Sequence, residues 1–195
     1  MKGYIYIASC YKTIEIRSDS KEFIDNDPHF WTFPPTWGIC RTEFRKNVNS
    51  GDYVFFVLPK YSVLGQENQM IFGYLKVKRI ISHFEAYLEY PEKRMLRNER
   101  INGNIIVDKN GNYNIYDRGA HKSRFNEIKQ YYVVGEQKSS KFLTEEKVMR
   151  LAPQFTKSLN IIFNTEDKNI FEIISRKGRK LDENKIIKLL DFLEL

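Results

Sequence analysis

The first two thirds of the chain alternate short apolar runs with turn residues. Tyr4 to Ala8 is β-branched and aromatic, which predicts a first strand. Tyr53 to Leu58 (YVFFVL) is apolar without a break. A run that short predicts a strand buried on both faces. Met70 to Val77 (MIFGYLKV) follows, with Gly73 inside it, where a bulge or a close backbone approach is expected. Arg79 to Glu89 reads as its continuation, in strand or turn. Asn104 to Val107 and Tyr113 to Tyr116 flank Lys109-Asn110-Gly111-Asn112. Asn-Gly between two such runs predicts a hairpin. Tyr131 to Val134 closes the series before Gly135.

Helical patterning is sparse here. A short helix is expected within Thr36 to Asn47, N-capped by Thr42. Gly51-Asp52 then reads as the turn into the next strand. Lys93 to Arg100 is charged and surface-like. After residue 143 the period changes. Thr144 reads as an N-cap followed by Glu145 and Glu146, acids that suit the positive end of a helix, and Pro153 is expected to stop that helix. Asn169 to Arg176 and Asp182 to Leu195 read as two more helices. The latter carries Ile186, Ile187, Leu189, Leu190 and Leu193 on one broad face behind an Asp182 N-cap. Ser175 to Lys180 reads as a basic turn between them. Strands followed by helices, with few βαβ alternations, predict an α+β fold built on a small mixed barrel. Residues 1–143 would form the β-domain and 144–195 a helical C-terminal extension packed on it.

The chain has 195 residues, enough for a real core. No window approaches a membrane span, and Tyr4 to Ala8 is too short an apolar run for a signal peptide. Two cysteines, Cys10 and Cys40, without a framework suit reduced thiols and a cytoplasmic location. Three histidines and no CxxC leave no structural zinc site, and no Gly-rich phosphate loop is present. No cofactor is expected. The net charge of +7 suits a polyanionic partner, although Lys, Asn and Ile richness also fits an AT-rich coding bias.

The densest chemistry lies at residues 29 to 46. His29, Phe30, Trp31, Phe33 and Trp37 put five rings into nine residues, interrupted by Pro34-Pro35. Rings on a proline-stiffened loop beside Arg41, Arg45 and Lys46 suit a stacked base and its phosphate. The same rings would equally plug one end of a barrel, and the same cations would equally be a solvated helix face.

"YIYIAS", "TWGICRTEFRK", "VNSGDYVFFV" and "IFGYLKVKRI", taken in order, resemble the core of EVE domains, in the PUA-like superfamily with YTH and ASCH. "GNIIVDKNGNYNIYDRGAHKSRF" followed by "YYVVG" resembles the nucleotide-modification-associated (Nmad) domains of bacteria and phages. The PUA-like likeness covers about residues 1 to 80 and is looser from 81 to 143. It implies a partly open β-barrel with a pocket between the first strand and the Trp-Gly loop. It implies a non-catalytic reader of a modified base in DNA or RNA, or of a free nucleotide, in genome modification or anti-phage defence. Ser9, Cys10, His29, Trp31, Trp37 and Gly38 would form the base pocket. Arg41, Arg45, Lys46, Lys122 and Arg124 would meet phosphates. Cys40 and Thr42 flank Arg41 where the family pattern pairs Arg with Asn.

Other constellations leave rival readings open. Asp108, Asp117 and His121 surround the expected hairpin and could hold a divalent metal for nuclease chemistry. Their spacing fits no strict motif, and Asp117-Arg118-Gly119 also reads as a turn. A peptide-binding role for the aromatic loop is a third reading. The C-terminal helices could serve a homodimer.

Overall fold

Two runs of apolar residues, β1 (Gly3–Ile7) and β3 (Tyr53–Val57), lie side by side in parallel, with Gly3 opposite Tyr53 and Ile7 opposite Val57. The computed structural model describes residues 1–8, 27–60, 69–96, 103–117, 119–175 and 177–194. Around that pair the chain builds a mixed sheet of seven strands among the described residues. Strand β4 (Ile71–Ile81) runs antiparallel to β3, from Tyr53 opposite Lys76 to Val57 opposite Ile71. Its register shifts between Val77 and Arg79, and from there it pairs with β5 (Tyr132–Gly135). One long strand thus serves two partners, because a bulge bends it and turns its second half away from β3. Strand β2 (Thr36–Trp37) adds to β5, and β6 (Lys141–Phe142) pairs with Gly73 and Tyr74 of β4. The close approach expected at Gly73 is present. A Cβ there would sit 3.0 Å from the Phe30 ring and 3.1 Å from the Lys141 carbonyl.

The strand order is β2-β5-β4-β3-β1-β7, where β7 is Arg179–Leu181. The two ends of this order, β2 and β7, are not paired, so the sheet is not closed into a barrel. It is nevertheless curled. Trp37 of β2 stacks on Tyr6 of β1, with ring centroids 5.4 Å apart and planes at 23°.

The helices are α1 (Thr42–Arg45), α2 (His83–Glu89), α3 (Phe125–Ile128), α4 (Glu145–Phe163), α5 (Ile170–Ile174) and α6 (Glu183–Glu194). Several differ from the sequence reading. Arg79 to Glu89 splits into the end of β4 and α2, because Ser82 and Glu85 form a reciprocal capping box. Thr42 is not the N-cap of α1. That position is Arg41, with no side-chain cap. The expected hairpin shrinks to a single bridge, Val107 to Tyr113, and Ile115–Asp117 coils into a 3-10 turn. Its tip does form as read: Gly111 takes φ +78°, and Asp108 Oδ1 accepts the N–H groups of Asn110 and Asn112 at 2.8 and 2.9 Å.

Pro153 does not stop α4, which runs through it. The proline faces solvent, so water can take the carbonyl it leaves without a donor. Val148, Leu151, Phe155, Leu159 and Ile162 are buried on both sides of it, and their burial, roughly 2 kcal/mol each, outweighs the loss. The basic turn at Ser175–Lys180 is partly a strand. Gly178, at φ +77°, leads into β7, which pairs with β1. The C-terminal third therefore completes the sheet as well as covering it, and its Ile170, Ile173, Leu181 and Ile186 share one core with Ile5 and Phe55.

Candidate functional site

The Trp-Gly stretch is a buried polar frame. Asp27 accepts three consecutive backbone N–H groups, from Gly38 (2.6 Å), Ile39 (2.9 Å) and Cys40 (2.5 Å). Asn104 Nδ2 donates to the same carboxylate at 3.0 Å. His83 is fully buried between Gly38 and Ile106. The Ile106 N–H donates to its Nδ1 at 3.2 Å, so its proton must lie on Nε2, which donates to the Gly38 carbonyl at 2.7 Å. Burial, then the nearby Arg45 charge, lower its pKa to about 3.

Arg45, expected at a phosphate, is also fully buried. Its guanidinium donates to the carbonyls of Cys40 (3.0 Å), Ile39 (2.7 Å) and Tyr131 and to Thr42 Oγ1 (3.0 Å). Burial lowers its pKa to about 10. The cation ties α1 to Tyr131, just ahead of β5, and is out of a ligand's reach. Trp37, expected as a pocket wall, is fully buried in the core against Tyr6 and Phe56. At Gly38 a Cβ would lie 2.6 Å from the Tyr132 ring, so the glycine admits that ring rather than a base. His29 is buried too. Its Nε2 meets Thr32 Oγ1 at 3.1 Å, and Lys93 Nζ donates to the same hydroxyl at 2.8 Å and to the Thr32 carbonyl at 2.9 Å. Burial, with Lys93 close by, lowers the His29 pKa to about 3.

Of the expected aromatic wall, Trp31 reaches the surface, 36% exposed, with its edge against Phe142. Ser9 and Cys10 lie outside the described residues. Lys122 and Arg124 are exposed in the turn ahead of α3. Lys46 stands 3.7 Å from Glu127 of α3. These three cations therefore gather around α3.

Arg41 sits elsewhere. It borders a cavity of about 640 Å³ at the carboxyl ends of the parallel pair β1 and β3. Ile7 ends β1 there, and Pro59 and Lys60 follow β3. Gln69 supplies a deep polar group, and Asn169 and Phe171, at the start of α5, close one side. Arg41 holds a left-handed backbone, φ 55° and ψ 51°, which is costly for a residue with a Cβ. Its guanidinium lies 5.7 Å from the Tyr6 ring centroid and 3.5 Å from Glu43. Phe171 is 51% exposed, although its neighbours Ile170, Ile173 and Ile174 are buried. The volume falls within the range of small-molecule sites. Two cations, a ring, aliphatic walls and amides suit an anion with a flat apolar body.

The acidic constellation is not assembled. Asp117 and His121 meet, Nδ1 to Oδ1 at 2.8 Å, and Asp117 also accepts from Tyr113 Oη and the His121 backbone (2.9 Å). Burial and Asp117 push the Tyr113 pKa up to about 12. Asp108 is engaged by its own turn. Among the described residues no three His, Cys, Asp or Glu side chains gather so as to hold a metal ion. Among them, too, no helix is long and apolar enough to cross a membrane.

Sequence reading found Arg41 but missed Lys60, Gln69 and Phe171. Phe171 carried a legible signal, an aromatic residue off the buried face of a short helix. Gln69 and Lys60 carried none, since the β1–β3 pairing that brings them together is long-range. No family model, curated protein or solved structure matches the chain.

Proposed function

We propose that the protein is a PUA-like module that binds nucleic acid or a nucleotide and takes a base, modified or plain, into the cavity beside Arg41. One observation carries this reading: the cavity joins Arg41 and Lys60 to the exposed ring of Phe171 and the amide of Gln69. Phe171 stacks the base, a contact worth about 1–3 kcal/mol. Arg41 and Lys60 hold the phosphate. Lys46, Lys122 and Arg124 extend the basic surface around α3 and hold backbone without reading sequence. The PUA-like fold type and the role in DNA modification or anti-phage defence rest on the sequence resemblance.

The test is binding to short fluorescent single- and double-stranded oligonucleotides, plain and base-modified, at two salt concentrations. Wild type binds with a strong salt dependence. Phe171→Ala loses about tenfold in affinity with the salt slope unchanged. Lys122→Ala with Arg124→Ala lowers the slope and leaves base preference intact. Indifference of binding to Arg41→Ala and Phe171→Ala together would sink the assignment of this cavity.

A further inference from the structure

We infer that Gln69 reads a hydrogen-bond donor on the ligand, so that the cavity selects a base whose inward edge presents an N–H. The inference rests on the binding reading above. Gln69 is 9% exposed. Its Nε2 donates to the Leu58 carbonyl at 3.0 Å. A carbonyl only accepts, so the NH₂ end must face Leu58 and the amide cannot be turned round. Leu58 is fully buried, which places the amide nitrogen on the core side. The other end, Oε1, has no partner among the described residues, while Gln69 lines the cavity.

Depth then orders the ligand. The acceptor is deep, whereas Phe171 is half exposed and Lys60 is exposed. A nucleotide therefore enters base first, with its N–H on Oε1, its face on Phe171 and its phosphate outward toward Lys60 and Arg41. A base edge that offers only an acceptor would set two lone pairs against each other across the cavity and forgo the hydrogen bond to Oε1. All four common bases carry an N–H on their pairing edge. Gln69 thus reads whether that donor is intact rather than which base carries it.

The experiment uses the full chain and short single strands carrying one base in an otherwise abasic backbone. The base that binds best is compared with its donor-less twin: purine for adenine, 2-pyrimidinone for cytosine, N3-methylthymine for thymine, N1-methylhypoxanthine for guanine. Wild type favours the donor-bearing strand by about tenfold, the size of one hydrogen bond near 1–1.5 kcal/mol. Gln69→Met, which keeps volume but has no amide oxygen, brings the ratio to near unity while salt-dependent binding persists. Equal binding of the twins by wild type overturns the inference without any variant, and so does an unchanged ratio in Gln69→Met. If no strand binds wild type even at low salt, the binding reading itself has failed; if Arg41→Ala and Phe171→Ala together leave affinity untouched, the assignment of this cavity has failed; in either case Gln69 falls with it.

Discussion

Arg41 is the residue at which conformation and chemistry conflict. Its left-handed backbone suits glycine, yet the side chain borders the cavity. Replacing it by Gly or by Ala removes the same guanidinium and differs only in the backbone. Arg41→Gly should exceed Arg41→Ala in stability by about 1 kcal/mol, read from urea unfolding, while both lose affinity alike. Equal stability of the two would mean that the backbone strain is not there. The two buried imidazoles supply a second prediction. His29 and His83 are held neutral, with pKa lowered from 6.5 to about 3. The folded state takes up their protons later than the unfolded state does. Their stabilising contribution is therefore complete above pH 6.5 and is lost as pH falls toward about 3. Between about pH 7 and 5 each should cost about 1–2 kcal/mol. Lys93, buried and lowered from 10.5 to about 8, acts in another window. Its burial costs stability as pH falls from 10.5 to about 8 and adds no further slope below that, so acid lability near neutrality belongs to the histidines. A flat urea midpoint over that acid range would contradict both assignments.

At the scale of elements, Pro153 tests why a breaker failed to break. If burial of the α4 face overrides it, the missing N–H still weakens the helix, and Pro153→Ala should raise stability by about 1–3 kcal/mol. A loss of stability on that change would mean that the proline itself serves the packing. The same contest explains what was legible in the chain. The strands at Tyr4, Tyr53, Met70 and Tyr131 were readable because short runs dominated by apolar, β-branched and aromatic residues have one common use. The α5 and α6 starts were readable from Asn169 and Asp182, whose side chains accept from Glu172 and Lys185 N–H groups. The hairpin at Lys109–Asn112 was over-read. Its turn chemistry is local and present, but the ladder needs partners, and Ile105 pairs with Arg94 instead. The helix at His83 was under-read, because its apolar residues hid the Ser82–Glu85 box. The aromatic and basic stretch was found, but not which of its members face inward. That depends on the curl that brings Trp37 onto Tyr6, a contact between strands far apart in sequence.

For the whole molecule, the decisive question is whether residues 144–194 are an appendage or part of the fold. Strand β7 pairs with β1, and Arg179 Nη1 donates to the Ile173 carbonyl at 2.9 Å. Ile170, Ile173, Ile174, Leu181, Ile186 and Leu189 are buried in the core that holds β1 and β3. At roughly 2 kcal/mol per buried aliphatic side chain, these six alone match the whole net stability of a domain, about 5–15 kcal/mol. A chain ending at residue 143 should therefore not fold, and the intact chain should unfold in one transition seen alike by tryptophan fluorescence and by helical circular dichroism. The tryptophans, Trp31 and Trp37, both lie in the first part, while the long helices lie in the second. The two probes thus watch different ends of the chain. Separate transitions, with helix lost before tryptophan burial, would make the C-terminal third an appendage. The cavity would then lose Asn169 and Phe171 under conditions that leave the sheet standing.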